Sequence, residues 1–198
     1  MTYDSLKNDI TLYAEREDGP FLAQIPSFIA LAENRLASEI KPLGFLRVVT
    51  GTMNGNTLAK PTRWRRSRSF AVTVGSQRVF LLERSYEYCR TFAPGSASSG
   101  VPRYYADYDY EHFFFAPTPA LNYDFELLYY ERPEPLSDDV QTNWTTRYAP
   151  QLLLYATLLE AQPFLKTSER IAEFQGLFDR AKQAILLEEV ARSIDSSS

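Results

Sequence analysis

Apolar residues recur three and four positions apart at both ends of the chain, and at strand-like spacing in short runs through its middle. That pattern predicts helices, then strands, then helices. The most apolar helical stretch is residues 149–161. Pro150 suits a first helical turn, where the missing amide costs nothing and the fixed φ is already helical. Leu152, Tyr155 and Leu159 make one stripe, and Leu154, Leu158 and Ala161 the next. Such an arc is too broad for a helix with one wet face, so this segment is expected to be the axis of a helical core.

Cover for that axis is expected from both chain ends. Leu6, Ile10 and Tyr13 predict a short helix, capped by Asp4 or Ser5 and ended by Gly19-Pro20. Ile25, Phe28, Ile29, Ala32, Leu36 and Ile40 predict a second, starting near Gln24 and stopped by Pro42 and Gly44. Beyond Pro163, which bends or ends the central helix, Ile171, Phe174, Phe178, Ala181, Ile185 and Ile194 form the stripe of a last long helix capped by Thr167 or Ser168.

Between these segments, runs rich in Val, Phe and Tyr predict strands at 45–50, 68–74, 77–82, 104–108, 112–116 and 123–130, with Gly75-Ser76 as a hairpin turn. Residues 85–92 read instead as a helical turn carrying Tyr88, Cys89 and Phe92, and residues 94–100 as a flexible loop. Ser137-Asp138-Asp139 is read as a helix cap before a helical approach at 142–148. The expected fold is α+β: a helical bundle built from both chain ends (1–42 plus 137–198) with an inserted antiparallel β-rich domain (43–136).

Composition narrows the function. The 198 residues are enough for a core without staples, and the single Cys89 excludes an internal disulfide and reads as a small buried hydrophobe. No run approaches the ~20 apolar residues of a membrane span, and Met1-Thr2-Tyr3-Asp4 does not open an export signal. The expectation is a soluble protein made without export. A net charge of −4 argues against a protein that coats nucleic acid. The 13 Tyr, concentrated between 86 and 155, fit half-wet strands and interfaces.

Catalytic chemistry finds no constellation. His112 stands in an aromatic run without a Ser or Cys nucleophile motif, so a structural role is expected. Asp107, Asp109 and Glu111 alternate, but aromatics separate them and nothing fixes a metal geometry. Phosphate loops, zinc helices and paired cysteines are missing from the sequence. No catalytic residue, cofactor or metal is assigned, and no enzymatic activity is expected. The strongest charged signal is Arg63-Trp64-Arg65-Arg66-Ser67-Arg68. Guanidinium groups pair with phosphate or carboxylate and an indole stacks on bases, so this reads as a loop pairing with acids of the same or a neighbouring subunit, or as a surface beside DNA.

Several segments in order resemble the head-to-tail adaptor, or connector, proteins of tailed bacteriophages, of the tail tubular protein A type. They are Pro26-Ser27-Phe28-Ile29-Ala30-Leu31-Ala32-Glu33-Asn34-Arg35-Leu36, Gly100-Val101-Pro102-Arg103-Tyr104-Tyr105, Phe115-Ala116-Pro117-Thr118-Pro119, Leu127-Leu128-Tyr129-Tyr130, Leu136-Ser137-Asp138 with Thr142-Asn143, and 150–161 with Phe164-Leu165-Lys166. The resemblance implies a virion structural protein, made in the host bacterial cytoplasm, whose twelve copies form a ring under the capsid portal. The C-terminal segment, with Leu186, Leu187, Val190 and Ile194, would lie along the portal protein. The β-rich domain would meet a downstream tail or nozzle protein, and packaged DNA would pass through the centre. Placing Arg63, Trp64, Arg65, Arg66 and Arg68 at that DNA channel or between subunits rests on charge alone. The rival readings are a sequence-neutral DNA-binding protein using the same arginines, and a carbohydrate-binding or hydrolytic tail module using Asp107, Asp109 and Glu111.

Overall fold

A computed structural model describes residues 1–40, 42–95, 98–165 and 170–195, without the side chains of 43 and 192–195. The expected cap at Thr167 or Ser168 and the side chain of Ile194 lie outside the described residues. The fold is mixed α+β, with helices α1 (Tyr3–Ala14), α2 (Gly19–Glu39), α3 (Tyr86–Phe92), α4 (Trp144–Tyr148), α5 (Pro150–Leu165) and α6 (Ile171–Asp195), and one large, nearly closed sheet. The chain divides into two compact units, Met1–Phe45 with Pro133–Ser198, and Leu46–Arg132.

In the first unit α5 is the axis: no side chain from Leu152 to Gln162 is exposed. α1, α2, α4 and α6 all pack on it, which satisfies its all-round apolar surface. Pro163 does not end α5, because it sits exposed in the last turn, where the loss of one backbone hydrogen bond is tolerated. The ends of the first two helices differ from expectation. Thr2, not Asp4 or Ser5, caps α1, accepting from the Ser5 amide at 3.1 Å while Ser5 Oγ accepts from the Thr2 amide at 2.8 Å. Gly19-Pro20 opens α2 instead of ending α1, since Asp18 accepts from the Phe21 amide at 3.2 Å and proline is tolerated in a first turn.

Ser137-Asp138-Asp139 caps no helix. Ser137 Oγ accepts from the Val140 amide at 3.1 Å to close a turn, and Asn143 Oδ1 caps α4 by accepting from the Thr145 and Thr146 amides at 3.0 and 3.2 Å. The same Asn143 donates from Nδ2 to Glu33 of α2 at 2.7 Å, and the Leu136 amide donates to both Glu33 oxygens at 3.1 and 3.3 Å. One carboxylate thus ties α2 to the segment leading into α4. Among the described side chains the stripe of α6 is buried at Phe174 and Phe178; Ile171 is exposed and Ile185 half-buried. Arg35 stacks over the Phe178 ring at 4.6 Å, and Lys182 Nζ donates to Glu39 at 2.5 Å, which fixes the first half of α6 against α2.

The second unit holds β1 (Leu46–Met53), β2 (Thr57–Ala59), β3 (Trp64–Val74), β4 (Gln77–Glu83), β6 (Tyr104–Asp107), β7 (His112–Ala116) and β9 (Tyr123–Glu131), ordered β1-β9-β3-β4-β6-β7-β2. β5 (Ser99–Gly100) and β8 (Thr118–Pro119) form a separate short pair. The antiparallel β region expected from the sequence is corrected in part: β4–β6 and β5–β8 are parallel. Between β4 and β6 the chain crosses over through α3, and a crossover is what a parallel pair requires.

The sheet curls around Phe70 of β3, whose ring meets those of Tyr105, Phe113, Phe115 and Phe125 at centroid distances of 5.4, 5.7, 5.1 and 5.5 Å. β7 is buried on both faces. Phe113 and Phe115 point into that core, while Phe114 and Ala116 lie under α3 with Cys89 and Ala93. Burial on both sides explains why Phe113-Phe114-Phe115 shows no polar alternation.

Candidate functional site

The arginine segment is strand, not loop, because β3 begins at Trp64. Trp64, Ser67, Phe70 and Val72 all face the core, yet the first three are spaced by three residues, which strict alternation forbids. Register shifts between Trp64 and Arg66 and between Ser67 and Ser69 absorb one extra residue in each interval. The consequence is chemical: both bulges keep Trp64 and Ser67 inside while the strand turns Arg66 and Arg68 out to solvent.

Trp64 is therefore committed to the interior. Its ring stands edge-on to Phe113 at 5.4 Å, Lys60 Nζ sits 4.2 Å over its face, and Nε1 donates to Ser67 Oγ at 3.3 Å. The base-stacking role considered for it has no open ring face on that side. Among the arginines, Arg63 donates to Glu131 at 3.2 Å, and Arg47 of β1 pairs with the same carboxylate at 3.4 Å. Arg68 Nη1 donates to the Tyr130 hydroxyl at 3.3 Å. Burial, and after it the charges of Arg132 and Arg66, pulls Arg65 below its ordinary range.

The acids Asp107, Asp109 and Glu111 are brought together by the β6–β7 turn, on which every residue from 107 to 111 is exposed and Tyr110 is exposed to 101%. The turn is held firmly. Asp109 Oδ1 accepts from the amides of Glu111 and His112 at 2.7 and 2.6 Å, and His112 Nδ1 lies 3.2 Å from both of its oxygens. Lys60, whose side chain is only 3% exposed, reaches the Asp107 carboxylate and the Asp109 carbonyl. Burial raises the Asp109 carboxyl, but the donors of Glu111 and His112 outweigh it and hold the group below its usual range. His112 thus belongs to a turn lock, as expected for a structural histidine. Sequence reasoning missed Lys60 and Tyr110; the Asp-Tyr-Asp-Tyr-Glu alternation was the available signal.

In the first unit, Leu186, Leu187 and Val190 are exposed on α6, at 38%, 59% and 54%. Leu186 also walls a cleft of about 300 Å³ with Ile40, Pro42 and Ile185. Among the described residues no group of His, Cys, Asp and Glu is arranged to hold a metal ion, and no helix is long and apolar enough to cross a membrane.

What the chain offers is a set of presented surfaces: a basic strand, a rigid acidic aromatic turn and an apolar helix row, the equipment of a protein that joins others. Residues 1–197 match the family model described as SU10 adaptor protein, and the chain belongs to that family of phage head-to-tail adaptors. Membership makes it a phage structural adaptor and virion component, implies a non-enzymatic role, and implies association with portal and tail components. A comparison with curated proteins finds none that matches the chain.

Proposed function

We propose that the chain joins head to tail by closing, in twelve copies, into a ring under the portal, with packaged DNA passing through its centre. The observation that carries this reading is the apolar row on α6. Leu186 and Val190 stand exposed one turn apart, and by sequence Ile194 follows at the same spacing, so one apolar stripe is presented on an amphipathic helix. Helix stripes of this kind bind by lying in an apolar groove, here one offered by the portal protein. In this reading the helices from both chain ends form a bundle on the portal side, and the β-rich domain, residues 43–136, meets the tail or nozzle protein. Each α6 contact is weak, but ring symmetry multiplies it. The free chain is then expected to be largely monomeric at low micromolar concentration.

The test is co-expression with the portal protein of the same genome. Wild-type chain should co-purify with portal, and Leu186→Asp with Val190→Asp should abolish co-purification while leaving the circular dichroism unchanged. Equal recovery of both chains would remove α6 from the joint. A folded variant that still binds DNA with salt-dependent affinity, alongside a wild-type that ignores portal, would move the assignment to DNA binding through Arg66 and Arg68.

A further inference from the structure

Two surfaces of the β-rich unit are complementary in charge and placed on opposite walls. Trp64 of β3 and Phe113 of β7 meet across the interior, as do Phe70 and Phe115, so β3 and β7 face one another. The outward arginines beside Trp64 and the turn just before Phe113 therefore lie at the same end of the curled sheet, on opposite sides. One side carries Arg66 and Arg68, with the Tyr130 hydroxyl of β9 bonded to Arg68. The other carries Asp107, Asp109, Glu111 and the fully exposed Tyr110.

We propose that the 107–111 turn of one copy docks on the Arg66–Arg68 face of β3 in the next copy. The proposal rests on the ring reading above and names its subunit contact. A patch and its complement on opposite sides at one level make a heterologous contact, the type that closes into a ring when repeated. The turn is built for docking because its shape is set before contact. The Asp109 bonds and the buried Lys60 fix the backbone, so presenting Tyr110 costs little ordering entropy. Tyr and Arg are the residues that most often anchor interfaces, and Tyr110 shares its exposed turn with Asp107 and Glu111, so guanidinium groups meet carboxylates beside the ring. The placement also disposes of an oddity of composition. The chain is acidic overall, with 25 Asp and Glu against 21 Lys and Arg, yet gathers arginine on one strand. A copy of itself is the acidic partner always at hand.

The test uses charge reversal and site-directed cross-linking, on the portal-bound assembly and on the concentrated free chain. Arg66→Glu with Arg68→Glu, or Glu111→Arg alone, should each weaken self-association at least about tenfold, and the combined variant should recover most of the loss, as reciprocal charge pairs do. A Tyr110→Cys chain mixed with an Arg66→Cys chain should give a bismaleimide-linked heterodimer, while neither chain alone should link to itself. Rings that form normally in all the reversal variants, with no 110–66 link, would overturn this contact and leave the ring reading standing. The same result with DNA retention lost on reversal of Arg66 and Arg68 would overturn it in favour of DNA. A wild-type chain that self-associates neither on portal nor at high concentration would overturn the ring reading and this contact with it.

Discussion

Replacing Trp64 with Ala separates a core indole from a nucleic-acid platform. The edge-on contact with Phe113 at 5.4 Å contributes about 0.5–1.5 kcal/mol beyond burial. Lys60 Nζ, 4.2 Å over the ring on a side chain only 3% exposed, adds about 1–2 kcal/mol. The Nε1 bond to Ser67 at 3.3 Å adds about 1 kcal/mol. Burying roughly 100 Å² of a half-buried indole supplies about 2.5 kcal/mol. These terms overlap, and the usual range for removing a packed Trp is about 3–5 kcal/mol. A loss of about 4 kcal/mol is expected. With a urea slope of about 2 kcal/mol per molar, the midpoint read by circular dichroism in the β-sheet band should fall by roughly 2 M. Trp64→Phe keeps a ring against Phe113 and should recover about half. If Trp64→Ala instead leaves the stability within about 0.5 kcal/mol of wild type and removes DNA retention, the ring is a stacking surface and core packing is refuted as its role.

Three further outcomes test the rest of the fold. Burial pushes the Glu33 carboxyl above its ordinary range against the Leu136 and Asn143 donors, so its contribution is full below about pH 4.3 and is lost as pH rises through the higher folded value. The stability of Glu33→Gln relative to wild type should therefore improve between pH 4 and 7, a trend that parallel chemical melts would contradict if flat; Glu33→Ala, which takes the acceptor from the Leu136 amide and leaves Asn143 Nδ2 only the Glu134 carbonyl, should cost about 1–3 kcal/mol at pH 4. Leu153→Ala, at a fully buried position of α5, should cost about 3–5 kcal/mol in a thermal or urea melt, whereas exposed Leu187→Ala should stay within about 0.5 kcal/mol. Cys89 is fully buried, and burial, opposed by Arg84, raises its thiol, so a thiol reagent should label the native chain only as fast as it unfolds.

The helices were legible because apolar spacing is a direct record of which side must be covered. The 149–161 arc could belong only to an enclosed helix, and α5 is enclosed. Their ends were less legible, since Gly-Pro serves equally to stop one helix and to start another. What decides is Asp18, whose carboxylate reaches the Phe21 amide. β2 has three residues and β5 and β8 two each, too few to show alternation. The start of β3 was hidden by the bulges that make its arginines a surface, because each bulge breaks the period that identifies a strand. Of the candidate sites, Leu186, Leu187 and Val190 of α6 came from the family resemblance and not from spacing, because the spacing picks out the neighbouring stripe of Ile171, Phe174, Phe178 and Ile185 and says nothing of what covers either. The acidic turn was visible as composition only. Its rigidity comes from Lys60, 47 positions before Asp107, and no local pattern encodes that contact.

The most direct test of the account is electron microscopy of the chain co-expressed with the portal protein of its own genome. A ring of twelve copies under the portal is expected, with α6 on the portal side and the 107–111 turn of each copy against β3 of the next. A portal free of this chain, or chains bound singly without contact between neighbours, would contradict it.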